Sequence, residues 1–137
     1  MYDVVIIGAG PGGYESALYA AQKGLSVALV EKDKIGGTCL NYGCIPTKSI
    51  LASARSYSNI KNSFRMGISV SPENLDFSYR KILERKDKVV KINRKGIESS
   101  LLKSGVKIFN GSGVLEGHHT VSVSGKERIK AQNIIIA

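Results

Sequence analysis

Cys39 and Cys44 are the only cysteines of this 137-residue chain, and four residues separate them. Two thiols this close can cycle between dithiol and disulfide. Closing so short a loop gains little chain entropy, so a bond here points to chemistry rather than to stapling. A helix start between the cysteines, distorted by Gly43 and Pro46, would let the sulfurs meet. A helix N-terminus also lowers a thiol pKa and favours the nucleophilic thiolate. Exchange with another thiol pair needs one accessible sulfur and one near an electron acceptor. Two other readings stand beside this one. Free cysteines are often buried as small apolar side chains. A metal site would need more ligands, and the only histidines are the neighbours His118 and His119, which a strand would point to opposite faces.

The stretch around the cysteines, Gly36 to Lys48, begins five residues after Glu31. What precedes it reads as a unit that must position it. Tyr2 to Ile7 is an apolar, β-branched run suited to a strand buried on both faces of a parallel sheet. Gly8, Gly10 and Gly13 then fit G-x-G-x-x-G, with Pro11 and Gly12 inside the turn. Gly8 permits the tight turn, Gly10 lets the backbone approach a pyrophosphate, and Gly13 lets the following helix pack on the strand. That helix is expected to run to about Lys23 with Ala17, Leu18, Ala20 and Ala21 inward, and to stop at Gly24. Leu25 to Val30 reads as the second strand, ending at Glu31, whose carboxylate can accept ribose hydroxyls. Strand, turn, helix, strand and acid in this order predict a dinucleotide-binding βαβ unit. The pattern alone does not separate FAD from NAD.

Downstream, the sequence predicts a helix from Lys48 to about Ile60, with Pro46 in a first-turn position. Residues 62–74 read as loop, broken by Gly67 and Pro72. A long helix capped by Asp76 is expected to carry a stripe of Tyr79, Ile82, Leu83, Val89, Val90, Ile97 and Leu101, with a bend at Gly96 and a stop at Gly105. Val106 to Asn110 is a third strand. Short alternating segments follow at 114–116, 120–123 and 128–130, with a hairpin turn at Gly125-Lys126. Asn133 to Ala137 is a separate Ile-rich buried strand. The fold class is α/β: a Rossmann-like parallel sheet with crossover helices and a small antiparallel β-meander, unfinished at the C-terminal strand.

Composition sets limits. Hydrophobic residues are 42% of the chain, a globular proportion. No apolar run approaches the roughly 20 residues of a membrane span. The N-terminus enters its first strand without a signal-type segment, so a cytoplasmic location is expected. The net charge of +9 is concentrated from Arg80 to Lys107, with ten Lys/Arg against three Asp/Glu. Aromatic residues are not interleaved with these charges, so the stretch reads as a solvated helix face rather than a nucleic-acid surface.

The string Gly36-Gly37-Thr38-Cys39-Leu40-Asn41-Tyr42-Gly43-Cys44-Ile45-Pro46-Thr47-Lys48, together with Gly-Pro-Gly-Gly-Tyr at 10–14, resembles the redox segment and glycine turn of the flavoprotein disulfide reductases. In detail it is most similar to the lipoamide dehydrogenase branch of that family. The resemblance extends over the whole chain; Thr47 departs from a usual Ser. It implies FAD lined by Gly8, Gly10, Pro11, Gly12, Gly13, Glu31, Lys32, Gly37, Thr38, Cys39, Cys44 and Lys48, with Gly113 at the adenine edge. It implies Cys39 as the interchange thiol, Cys44 as the thiol against the flavin, and Lys48 as the charge beside the reactive flavin nitrogen.

The same resemblance implies an activity: dihydrolipoamide, carried by the lipoyl domain of a 2-oxo acid dehydrogenase or glycine-cleavage complex, reduces the disulfide, and the electrons pass through FAD to NAD. Members of the family are homodimers. They carry nicotinamide and interface domains, and a His-Glu base from the partner subunit, outside residues 1–137. His118 and His119 do not fit that motif. Residues 1–137 are thus expected to be the N-terminal part of an FAD-binding domain, inactive alone. Two alternatives remain at this level: an NADPH-dependent disulfide reductase, and a non-catalytic FAD-binding or thiol-switch module.

Overall fold

The apolar runs of the sequence become the centre of one six-stranded sheet. The computed structural model describes residues 1–137 except the side chain of Pro72. Strands β1 (Tyr2–Ile7), β2 (Val27–Glu31), β3 (Lys107–Asn110), β4 (Gly113–Leu115), β5 (Thr120–Val123) and β6 (Glu127–Ile136) are arranged in the order β3-β2-β1-β6-β5-β4. The pairings β3–β2, β2–β1 and β1–β6 are parallel; β6–β5 and β5–β4 are antiparallel.

Alternation along β1 and β2 shows why those strands are continuously apolar. Val4, Ile6, Val27 and Leu29 face a layer containing Ala17 and Leu101, carried by helices α1 (Pro11–Gln22) and α4 (Tyr79–Lys103). Val5, Ala28 and Val30 face the other way, onto Val121, Val123, Ile129 and Ala131 of the meander. With helices on one face and β-strands on the other, neither face of the parallel sheet can be polar. Asp3 and Ser26 exchange backbone and side-chain hydrogen bonds where β1 and β2 begin, which fixes their register. Leu25 stays exposed, and β2 starts two residues later than the apolar pattern suggests.

The meander hairpin closes as expected at Gly125. Ser124 and Gly125 take φ of 51° and 68°, and the Lys126 amide donates to the Val123 carbonyl at 3.1 Å, the geometry of a type I′ turn. The two C-terminal segments expected from sequence are a single strand. Glu127 to Lys130 pairs with β5, and Ala131 to Ile136 pairs with β1. The alternation lapses at Gln132 and Asn133, but no glycine or proline stands there to stop the strand, so one strand serves both the meander and the parallel sheet.

Helix α2 (Gly37–Asn41) and helix α3 (Cys44–Lys61) follow β2. Helix α3 starts four residues earlier than expected and packs along α4. Residues Ser63–Met66 and Pro72–Asn74 form short 3₁₀ turns within the expected loop. Gly67 breaks the chain there with φ 75°; the Pro72 side chain, read as the second breaker, lies outside the described residues. Ser78, not Asp76, caps α4: its hydroxyl accepts the Lys81 amide at 3.4 Å, whereas Asp76 accepts the adjacent Phe77 amide. A cap must reach the third residue of its helix, and only Ser78 stands at that spacing. The helix runs unbroken through Gly96. Tyr79, expected on the apolar stripe, is exposed.

Candidate dinucleotide cleft and dithiol

The parallel strands β1, β2, β3 and β6 all end at one edge, and a cleft of about 370 Å³ opens there. Ile7, Gly8, Gly10, Val30, Glu31, Lys32, Gly37, Thr38, Gly111, Ser112, Gly113, Ile136 and Ala137 line it. A crevice beyond the carboxyl ends of parallel strands is where ligands of this architecture sit.

The glycines differ in what they permit. Gly8 has φ +100°, and a Cβ there would run into the carbonyl oxygen of Ala137. A Cβ on Gly13 would run into the carbonyl of Gly8, so this glycine lets α1 seat against the turn. A Cβ on Gly10 would meet nothing within 4 Å. Its bareness serves the open cleft it lines, not protein packing. Gly10 is also the N-cap of α1, with no side-chain cap and no acidic residue in the first turn. The helix therefore presents uncapped amides and the positive end of its dipole beside the cleft, which fits an anionic diphosphate.

Glu31 is buried, and its carboxylate holds the turn in place. One oxygen accepts the Ala9 amide at 2.7 Å and the other accepts the Asp33 amide at 2.8 Å. A carboxylate oxygen can take a second donor, so ribose hydroxyls remain within its capacity. Glu31 is thus both a structural acceptor and a wall of the cleft. Gly37 brings α2 against the glycine turn: with φ +58°, its Cβ would lie 2.7 Å from Gly10 Cα.

Cys39 sits in α2, half-buried, and Cys44 is the exposed first residue of α3. Between them Gly43, at φ −124° and ψ −100°, ends one helix and starts the next. This is the distortion the spacing requires, and Pro46 lies in the first turn of α3. Both cysteines are free thiols. A hydrogen bond with the Cys44 thiol raises the Cys39 pKa, with burial and the Cys44 charge adding to it. The Cys44 backbone and the Lys48 charge act in the opposite direction. The lowered pKa expected of a thiol near a helix N-terminus is therefore not what Cys39 shows, because the neighbouring Cys44 thiol and burial outweigh the Lys48 charge. Burial, then the charge of Glu15, raises the pKa of Tyr14 on α1, and Cys39 contributes to the same shift.

Of the residues singled out from sequence, Gly8, Gly10, Glu31, Lys32, Gly37, Thr38 and Gly113 line the cleft. Gly13 is buried behind them, and Pro11 and Gly12 are exposed in the first turn of α1. Cys39, Cys44 and Lys48 lie outside the lining, along the helices that continue from Thr38. Gly111, Ser112 and Ala137 were not singled out. Their signal is positional: each follows a strand that ends at the same edge as β1. His119 Nδ1 lies 3.1 Å from the carbonyl oxygens of both Ala131 and Gln132, which accept from its N–H, away from the cysteines in the meander.

The sequence pattern of the family described as "Pyridine nucleotide-disulphide oxidoreductase" matches residues 2–137. The chain belongs to this family. A dihydrolipoyl dehydrogenase of Acholeplasma laidlawii is 48% identical over 136 residues, covering 99% of this chain and 40% of that protein. One from Chlorobaculum parvum is 46% identical, covering 99% of this chain and 29% of that protein. Among solved structures, the HOCl-induced flavoprotein disulfide reductase RclA from Escherichia coli superposes with a TM-score of 0.81 at 28% identity, over 99% of this chain and 28% of RclA. This member of the family therefore spans well under half the length of the curated relatives it matches, and its fold is that of a flavoprotein disulfide reductase segment.

Proposed function

We propose that residues 1–137 are the N-terminal, FAD-binding part of a dihydrolipoyl dehydrogenase. The observation that carries this reading is the free thiol pair Cys39 and Cys44, set on either side of the α2–α3 break at Gly43, with α2 starting at the cleft. The identity of 48% and 46% to dihydrolipoyl dehydrogenases favours this branch over an NADPH-dependent disulfide reductase.

In the proposed cycle one thiolate of dihydrolipoamide attacks Cys39 Sγ. The Cys39–Cys44 bond breaks and its electron pair leaves on Cys44. The second substrate thiolate then attacks the substrate sulfur held on Cys39, closing the lipoamide disulfide and releasing Cys39. Two substrate protons pass to a base, and the dithiol carries two electrons. The Lys48 charge favours an anionic Cys39 sulfur as that leaving group. The uncapped amides of α1, Gly10 and Glu31 would hold the diphosphate and ribose of FAD, with Lys32, Gly37, Thr38 and Gly113 beside them. FAD, when bound, supplies the acceptor for the electron pair and delivers it to NAD.

The wider reading follows the branch. The partner is a lipoyl domain, the assembly is a homodimer, and the setting is the cytoplasm; among the described residues no helix is long and apolar enough to cross a membrane. Phe64, Met66 and Ile68 are 66%, 70% and 56% exposed and suit burial against the rest of such an assembly. The basic face of α4 is solvated scaffold, not a nucleic-acid surface. Residues 1–137 alone should not turn over.

One spectrum tests the reading. The full polypeptide with FAD is reduced by two electrons and scanned for a long-wavelength charge-transfer band. Loss of the band in Cys44→Ser and its retention in Cys39→Ser are expected. A full polypeptide that binds no flavin would sink the proposal, and oxidation of a small-molecule dithiol with NADP but not of dihydrolipoamide with NAD would move it to the other branch.

A further inference from the structure

The two residues that precede the Gly43 break are both tied to other parts of the fold. Asn41 ends α2. Its Nδ2 donates to the carbonyls of Ile35 at 3.1 Å and Gly37 at 2.9 Å, which leaves Oδ1 as the acceptor facing α4. Arg94 of α4 fills that position, with Nη1 3.2 Å from Oδ1. Tyr42 donates its hydroxyl to Asp33 Oδ2 at 2.7 Å, and Lys34 Nζ lies 4.9 Å from the centre of its ring.

A five-residue helix has no stability of its own, because one turn cannot repay its nucleation. Helix α2 persists because its start is packed on the glycine turn and its end is held through Asn41. The Asp33–Tyr42 contact is exposed and weak for that reason. The Arg94 contact differs. The Arg94 side chain is only 28% exposed, it reaches from a helix anchored in the core by Leu101, and it joins residues 53 apart in sequence.

We infer that Arg94 is a positioning residue for the dithiol: through Asn41 it fixes the end of α2, and so the place of Cys39 relative to Cys44. The inference rests on the exchange proposed above. Forming the disulfide draws the two free sulfurs together to about 2.05 Å. With Asn41 held, Gly43 and the first turn of α3 absorb that movement, and Cys39 stays fixed for an incoming thiol. Without Arg94 the end of α2 frays, the effective concentration of one thiol at the other falls, and the disulfide becomes easier to reduce.

The test uses the full polypeptide with its flavin, equilibrated in dithiothreitol buffers of graded redox poise, with Cys39–Cys44 oxidation read by thiol labelling. Arg94→Met is expected to lower the equilibrium constant for disulfide formation about tenfold, a shift of about 30 mV for this two-electron couple. Arg94→Lys, which keeps the charge and a donor, should fall between it and the parent protein. Glu98→Gln removes the other partner of Arg94, the ion pair at 3.9 Å, and should leave the constant within about twofold. In an Asn41→Ala background, Arg94→Met should have no further effect. A parent-like constant in both Arg94 variants overturns the positioning role, as does an Arg94→Met effect that persists without Asn41. Should Arg94→Met not fold, Arg94→Lys carries the comparison. A parent protein that forms no Cys39–Cys44 disulfide at any poise would overturn the functional reading itself, which separates the two failures.

Discussion

The carboxylate of Glu31 accepts the backbone amide of Ala9 at 2.7 Å, binding the end of β2 to the middle of the glycine turn across 22 residues of sequence. An acid at this position reads first as a ligand for ribose. Here it also keeps the turn in shape when no ribose is present. Glu31→Ala should therefore destabilise the fold by about 3 kcal/mol, since the buried Ala9 amide and the part-buried Asp33 amide both lose a charged acceptor. Glu31→Gln should cost nearly as much, because one of the two amides would face an NH₂ group. Urea unfolding checks this through a lower midpoint at unchanged slope, read on flavin-free protein. An effect confined to flavin binding would mean that Glu31 serves the ligand alone.

Gly10 and Gly13 separate binding from folding. Gly10→Ala meets open space with φ −67°, so it should change stability by about 1 kcal/mol at most, the scale of an N-cap exchange. Its methyl group would project where the cleft must admit a diphosphate. Flavin affinity should fall about tenfold or more, corresponding to a clash of about 1.4 kcal/mol. Gly13→Ala should instead destabilise by about 3 kcal/mol, because the added methyl meets the backbone carbonyl of Gly8 rather than a flexible side chain. Flavin titration and thermal melts of both variants distinguish the two glycines.

Local patterns made much of this legible in the sequence. The β1–turn–α1–β2 unit, the stop at Gly24, the hairpin at Gly125 and the irregular backbone at Gly43 each depend on neighbouring residues, and each lies within a few residues of where the pattern placed it, although Cys39 has a short helix of its own that the pattern did not show. Long-range choices were not legible. Ser78 and Asp76 are both good capping residues, and only the packed position of α4 selects Ser78. The sharing of β6 between meander and parallel sheet depends on where β5 and β1 lie. The Arg94–Asn41 bond has no periodic signature at all, and Arg94 reads from sequence as one more charge on a solvated face. The Cys39 pKa direction was likewise hidden, because it follows from the position of the second thiol rather than from the helix end.

Adjacent residues of α4 test the assignment of its buried face. Leu101 is fully buried among Val4, Ile6 and Leu29, whereas Leu102 is 63% exposed. Leu101→Ala should cost about 3 kcal/mol through lost burial and a residual cavity. Leu102→Ala should stay within about 0.5 kcal/mol. Equal effects at the two positions, measured by denaturant unfolding, would contradict the helix orientation.

The dithiol should give the reduced protein a defined pH dependence. The Cys39 pKa in the fold is raised, first by its hydrogen bond with Cys44, then by burial and the Cys44 charge. A thiol is neutral when protonated, so the folded state holds this proton more tightly than the unfolded chain does. The unfolded chain ionises first, near the ordinary thiol value of about 8.5, and stability should fall as pH rises from there through the raised folded value. Below that window the contribution is fully present. Cys44→Ala removes the first and third causes and leaves burial opposed by the Lys48 charge, so the decline should shrink. In the same variant, alkylation of Cys39 should gain rate at lower pH than in the reduced parent. Unfolding free energies and alkylation rates measured across the alkaline range read both effects, and an alkylation profile for Cys39 unmoved by Cys44→Ala would show that Cys44 does not raise the Cys39 pKa.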